Sequence, residues 1–137
     1  MKKMLLLVVG FLLVVPVLAN AACPNYEIGY KGNATMCLFG VYAPIVGAKV
    51  DLATPENGVV VSKVTDAAGK YVAKYKVNNC PQQFGFYTQA WQVTIDANSL
   101  GIPASKTCKT SADFICCCAQ CVQSIVKSCK LFYKFCC

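Results

Sequence analysis

The stretch GVYAPIVGAKVDLATPENGVVVSKVTDAAGKYVAKYKV, residues 40–77, decides the fold of this chain. In GAKVDLAT, Ala48, Val50 and Leu52 fall on one side and Lys49 and Asp51 on the other, the two-residue alternation of a strand with one buried face. KYVAKYKV repeats it: Tyr71, Ala73, Tyr75 and Val77 oppose Lys70, Lys74 and Lys76, and Val72 is the one apolar residue out of step. Between them VVVSKV, Val59 to Val64, is β-branched enough to predict a strand buried on both sides. Pro55, Asn57 and Gly58 punctuate the first connection. Asp66 and Gly69 bracket the second, where a carboxylate accepts from the turn's own amides and glycine supplies the positive φ.

The same alternation continues outward. WQVTIDA places Trp91, Val93, Ile95 and Ala97 inside and Gln92, Thr94 and Asp96 outside. Trp91 is therefore read as a core residue rather than as part of a sugar-stacking platform with Phe86 and Tyr87, and Tyr71 and Tyr75 with it. Short strands from Met36 to about Ala97, with turn signals and no helical period between them, predict a mainly β, antiparallel sandwich over residues 22–108.

Pro44, Gly47, Ala48, Val50 and Leu52, followed by Thr65, Asp66, Gly69 and Tyr71, resemble the pattern of the transthyretin-like or carboxypeptidase-regulatory-like sandwich domains. The resemblance covers about half of the mature chain and implies a transthyretin-like (prealbumin-like) scaffold. The chain is also similar, more weakly, to the secreted Ole e 1-like pollen and extensin-type proteins, among which Cys80 and Cys108 would be the later cysteines. It departs from them at the early cysteine block: Gly40, Val41 and Tyr42 lead into Ala43, and the early cysteine is Cys37. Nematode transthyretin-like proteins stand at a comparable distance. The urate-pathway hydrolase that shares the fold needs histidines, and this chain has none. The resemblance implies a scaffold, not an activity.

The compartment is read from the first residues. MKKMLLLVVGFLLVVPVLANA opens on two lysines, continues through an apolar run, and ends with Ala19 and Ala21 before Ala22, the pattern of a secretory signal over residues 1–21. The apolar run, Met4 to Leu18, is shorter than the ~20 residues a membrane-spanning helix needs. All eleven cysteines lie beyond that cleavage point, where an oxidising compartment makes disulfides. The candidates are Cys23, Cys37, Cys80, Cys108, Cys116, Cys117, Cys118, Cys121, Cys129, Cys136 and Cys137. Their number is odd, so one is free, carries an adduct, or links two copies into a dimer. Asn33 opens an Asn-Ala-Thr sequon on a polar segment expected to precede the first strand, a candidate glycosylation site.

Residues 109–137 read as a separate tail. From 118 to 136, Gln120, Gln123, Lys127, Lys130 and Lys134 recur at steps of three and four, opposite Cys118, Cys121, Ile125, Cys129, Phe132 and Cys136, which predicts a cysteine-rich amphipathic helix with a cationic stripe on Lys127, Lys130 and Lys134. Its Cys118-x-x-Cys121 pair lacks the βαβ context of a redox motif, and four thiolates without histidine are a poor metal site in a secreted chain. Structural disulfides are the expectation, with no metal and no cofactor.

Composition narrows the function. The mature chain carries eleven of the thirteen lysines against six acids and no arginine or histidine. No bidentate guanidinium is available to read guanine or phosphate, so specific nucleic-acid recognition is not expected. The acids are scattered and no imidazole is present, which points away from catalysis. Two readings remain: a non-enzymatic binding or structural protein of an extracellular matrix, wall or surface, or a cationic effector or antimicrobial protein with a membrane-active helix. The partners expected are an acidic polysaccharide, an anionic lipid or another extracellular protein.

Overall fold

A computed structural model describes residues 26–77, 84–117 and 124–137. Two sheets face each other. The first is built on β1 (Tyr26–Leu38) and the second runs β4 (Gly58–Val64), β3 (Lys49–Thr54), β6 (Phe84–Asp96), β7 (Ser105–Cys117). Along its first half β1 pairs antiparallel with β5 (Lys70–Val77), and along its second half with β2 (Val41–Pro44). Its other edge takes β8 (Ser124–Ser128) and β9 (Leu131–Phe135), both parallel. Between β6 and β7 lies a single 3-10 turn, Asn98–Leu100.

The core lies between the sheets, where the alternation predicts it. Ala48, Val50, Leu52, Trp91, Val93, Ile95 and Ala97 are all buried from the second sheet. Tyr26, Ile28, Tyr30, Tyr71 and Ala73 meet them from the first, while Tyr75 and Val77 are half-buried at the rim. Tyr26 stacks on Phe114 at 4.2 Å between ring centroids, and the Trp91 indole N–H donates to the Gly29 carbonyl at 3.1 Å, so the large rings bury without losing a polar partner. The turns follow their chemistry too. Asp66 Oδ1 accepts from the amides of Ala68 and Lys70, each at 2.9 Å, and Gly69 turns the chain at φ +74°.

Three expectations are corrected. The strand Val59 to Val64 is not buried on both sides: β4 pairs with β3 alone, and Val59 and Val64 are exposed. An unbroken β-branched run favours a strand but does not say whether a neighbour covers it. Strand structure also begins at Tyr26, ten residues earlier than Met36, because Lys31, Asn33 and Thr35 alternate with buried Tyr30 and Ala34. Asn33 therefore sits inside β1, half-buried and paired with Lys70, and does not precede the first strand.

The largest correction concerns the C-terminal part. Among the described residues there is no α-helix, and the expected amphipathic helical tail is absent where it can be seen. The boundary drawn after residue 108 falls within β7, and β8 and β9 belong to the first sheet. Glu27 to Lys31 pair with Ser124 to Ser128, and Ala34 to Leu38 with Leu131 to Phe135, in one unbroken register, with the Cys129 amide donating to the Lys31 carbonyl at 3.0 Å between them. Ile125, Val126, Phe132, Tyr133 and Phe135 are β-branched or aromatic and lose rotamer freedom in a helix. An open edge of β1 offers their backbones a full set of partners. From Cys129 the burial period is two: Cys129 and Leu131 are buried and Tyr133 half-buried, while Lys130, Phe132 and Lys134 are exposed. Cys129 and Phe132, neighbours on a helix, thus lie on opposite faces.

Candidate binding surface

Two disulfides fix this arrangement. Cys108 on β7 joins Cys129, which bridges β8 and β9, with 6.1 Å between the Cα atoms, and so ties the two sheets together. Cys37 near the end of β1 joins Cys137, with Cα atoms 6.2 Å apart, and holds the chain end against the sheet. Cys136 is exposed and unbonded. Cys116 and Cys117 close β7, and Cys23, Cys80, Cys118 and Cys121 lie outside the described residues.

The register places the polar residues of the first sheet on a common outer face. Lys76, Lys74, Val72 and Lys70 on β5 stand beside Glu27, Gly29, Lys31 and Asn33 on β1. By alternation Lys130, Phe132 and Lys134 share that face. Lys31, Lys70, Lys74, Lys76, Lys130 and Lys134 are all exposed there, against the single carboxylate of Glu27. That carboxylate is engaged, at 4.0 Å from Lys74 and accepting from the Ser124 hydroxyl at 3.0 Å. The cationic stripe expected on a helix is therefore redrawn. Lys130 and Lys134 belong to a larger basic face, whereas Lys127 pairs with Tyr30 and has the opposite orientation along the strand.

The outer face of the second sheet is different. Asp51, Asp96 and Asp113 share it with Lys49 and Lys109, so charge is nearly balanced. Each carboxylate has a partner: Ser62 Oγ donates to Asp51 at 2.7 Å, Thr88 Oγ1 to Asp113 at 2.5 Å, and the Asn98 amide to Asp96 at 2.8 Å. An open hollow of about 440 Å³ lies there, and Thr54, Gln92, Lys109 and Thr110 are the polar side chains among its lining residues besides Trp91.

At one end of the basic face the surface turns aromatic. Tyr42 on β2 and Phe132 on β9 approach to 6.2 Å across β1, and Lys134 Nζ lies 5.4 Å from the Phe132 ring centroid, a cation–π contact. Phe39 and Phe135 meet edge to face at 5.5 Å. Phe39, Val41 and Tyr42 are 71%, 66% and 68% exposed, which is unusual for large side chains gathered in one place. Phe39 and Gly40 form the two-residue turn between β1 and β2, with φ of +51° and +83°. Positive φ at both positions matches the twist of a hairpin, but it suits asparagine or glycine; phenylalanine there costs on the order of 1–2 kcal/mol. Sequence reading did not single out Phe39 or Tyr42. Register with a strand almost a hundred residues later assembles the patch.

The chain matches no protein-family model and no curated protein. Among solved structures it is similar to the 5-hydroxyisourate hydrolase of Klebsiella pneumoniae, with 12% identity and a TM-score of 0.33 over 74% of this chain and 90% of that one. It is also similar to a minor pilin of Streptococcus agalactiae, with 8% identity and a TM-score of 0.37 over 80% of this chain and 45% of that one.

Proposed function

We propose that the protein is a secreted, disulfide-stabilised, non-enzymatic binding or structural protein of an extracellular matrix, wall or surface. It is built on a transthyretin-like sandwich and attaches to a polyanion through the outer face of its first sheet. The observation that carries the reading is the imbalance of that face, six exposed lysines to one carboxylate already in an ion pair. β1 from Glu27 to Cys37 spans roughly 33 Å at strand rise, long enough to contact several successive charges of a polymer or several headgroups at once. Ammonium groups without guanidinium give attraction without base or phosphate reading, which suits an acidic polysaccharide, an anionic lipid surface or an acidic extracellular protein rather than nucleic acid.

Retention on heparin-like and anionic-lipid surfaces across a salt series tests this. The wild type is expected to be retained at low salt and released as the Debye length falls from ~10 Å at 0.1 M to ~3 Å at 1 M. The variant Lys31→Gln, Lys70→Gln, Lys74→Gln is expected to elute earlier from both. Salt-independent retention, or equal elution of the variant, would remove the basic face as the binding surface.

A further inference from the structure

The β1–β2 turn and the end of β9 form an apolar tip that the sandwich core does not use. Phe39, Val41 and Phe135 carry no side-chain polar atom, and the adjoining Leu38, Gly40 and Ala43 add none. A sugar is held through its hydroxyls as well as its ring, and between Leu38 and Ala43 the one side-chain hydroxyl is that of Tyr42, which stands beside Phe132 on the alternate face from Val41. The tip instead presents hydrocarbon to whatever meets it.

Two further observations bear on what that is. The first is the backbone at Phe39, where a bulky, exposed ring is kept at positive φ in the turn although asparagine or glycine would sit there with less strain. The second is charge. Beyond Glu27, the strands β1, β2, β8 and β9 carry no acidic residue, while Lys31, Lys127 and Lys134 lie on them and Lys130 between them. Hydrocarbon at the tip with ammonium groups behind it complements an anionic bilayer, whose acyl boundary takes apolar side chains and whose headgroups attract lysine.

We propose that Phe39, Val41 and Phe135 insert into the surface of an anionic phospholipid membrane while the lysines behind them engage the headgroups. This rests on the reading that the basic face meets a polyanion, and it names that polyanion. The tip inserts from a strand turn, so the membrane contact requires no helix.

The test uses the full mature protein with vesicles of phosphatidylcholine, vesicles of phosphatidylcholine mixed equally with phosphatidylglycerol, and a heparin matrix. The variant Phe39→Asn with Val41→Thr removes hydrocarbon while suiting the local backbone, asparagine at positive φ and threonine in a strand. It is expected to lose about tenfold or more in affinity for the mixed vesicles with heparin retention unchanged. A Phe39→Trp reporter is expected to shift its emission to the blue on addition of mixed vesicles and not of phosphatidylcholine alone. Unchanged vesicle affinity in the tip variant, or no shift from the reporter, would overturn the insertion while heparin retention left the basic-face reading standing. Absence of binding to vesicles and heparin alike would remove both. A dimer that the tip variant abolishes, without vesicle binding by the wild type, would assign the tip to a second copy of the chain and overturn the proposal.

Discussion

The carbonyl of Cys129 occupies the space that a β-carbon on Gly32 would need: the carbonyl oxygen would overlap it, and the carbonyl carbon lies 2.8 Å from that point. The same oxygen accepts the Tyr71 hydroxyl at 2.7 Å. A missing side chain on β1, a tyrosine on β5 and the junction of β8 and β9 thus meet at one buried peptide group. Gly32→Ala is expected to cost about 1–3 kcal/mol, because either β1 or the Cys129 peptide has to move. Urea unfolding of the variant beside the wild type checks it, and an unchanged midpoint would mean the chain around Cys129 yields freely.

The Tyr71 hydroxyl makes stability depend on pH at the alkaline end. Burial, and then the charge of a neighbouring Tyr30 phenolate, raises the Tyr71 pKa well above its ordinary value of 10.0, and burial raises that of Tyr30 as well. The folded state then holds the phenolic proton more tightly than the unfolded chain. Stability is unaffected below about pH 10 and falls as pH rises past it, where unfolded tyrosine ionises and folded tyrosine does not. Thermal unfolding at pH 9 and pH 11 is expected to show a fall for the wild type and a smaller one for Tyr71→Phe. That variant should itself lose about 1 kcal/mol at neutral pH, since the Cys129 carbonyl loses its side-chain donor.

The cysteines are expected to separate by reactivity. In the native protein Cys136 should alkylate, because it is exposed and unbonded, whereas Cys37, Cys108, Cys129 and Cys137 should not react until reduced. Peptide mapping after native alkylation reads this directly. Of the eleven cysteines, those four are paired and Cys136 is single, which leaves an even number to pair among themselves. Any disulfide-linked dimer should therefore disappear in Cys136→Ser. Loss of the Cys108–Cys129 bridge, which closes a separation of 21 residues, is expected to cost about 3 kcal/mol, and loss of Cys37–Cys137, with a separation of 100, about 4–5 kcal/mol.

The central strands were legible because alternation and turn residues agree. Val50 and Leu52, Trp91 and Val93, and the Asp66 to Gly69 turn each carry their own local signal, and each is found where that signal puts it. β1 was only partly legible, since Gly32 interrupts its apolar side and Gly29 its polar one, and both are required by close backbone neighbours that sequence does not reveal. The C-terminal strands misread as a helix because steps of two and steps of three or four overlap in a short cysteine- and lysine-rich segment. What decides between them is the vacant edge of β1, a partner almost a hundred residues away. The binding surface shares that cause. Tyr42 and Phe132, or Lys70 and Lys130, come together only through β1, and no local pattern announces the meeting.

Phe39 offers the most direct test of whether the tip holds backbone strain. Its ring contributes an edge contact with Phe135, worth about 0.5 kcal/mol at an exposed site, while positive φ on a residue with a Cβ costs about 1–2 kcal/mol. Phe39→Asn, which accepts the conformation, is therefore expected to raise stability by roughly 0.5–1 kcal/mol and the melting temperature by about 2–4 °C. Phe39→Gly should gain less, because glycine surrenders more freedom on folding. Phe39→Ala removes the ring yet keeps the Cβ, so it should gain nothing and lose the contact. Thermal unfolding of the three variants orders them Asn, Gly, Ala if the backbone is the source of the strain. Alanine matching asparagine would instead mean that the exposed ring is the destabilising element, and that the turn adopts positive φ without appreciable cost.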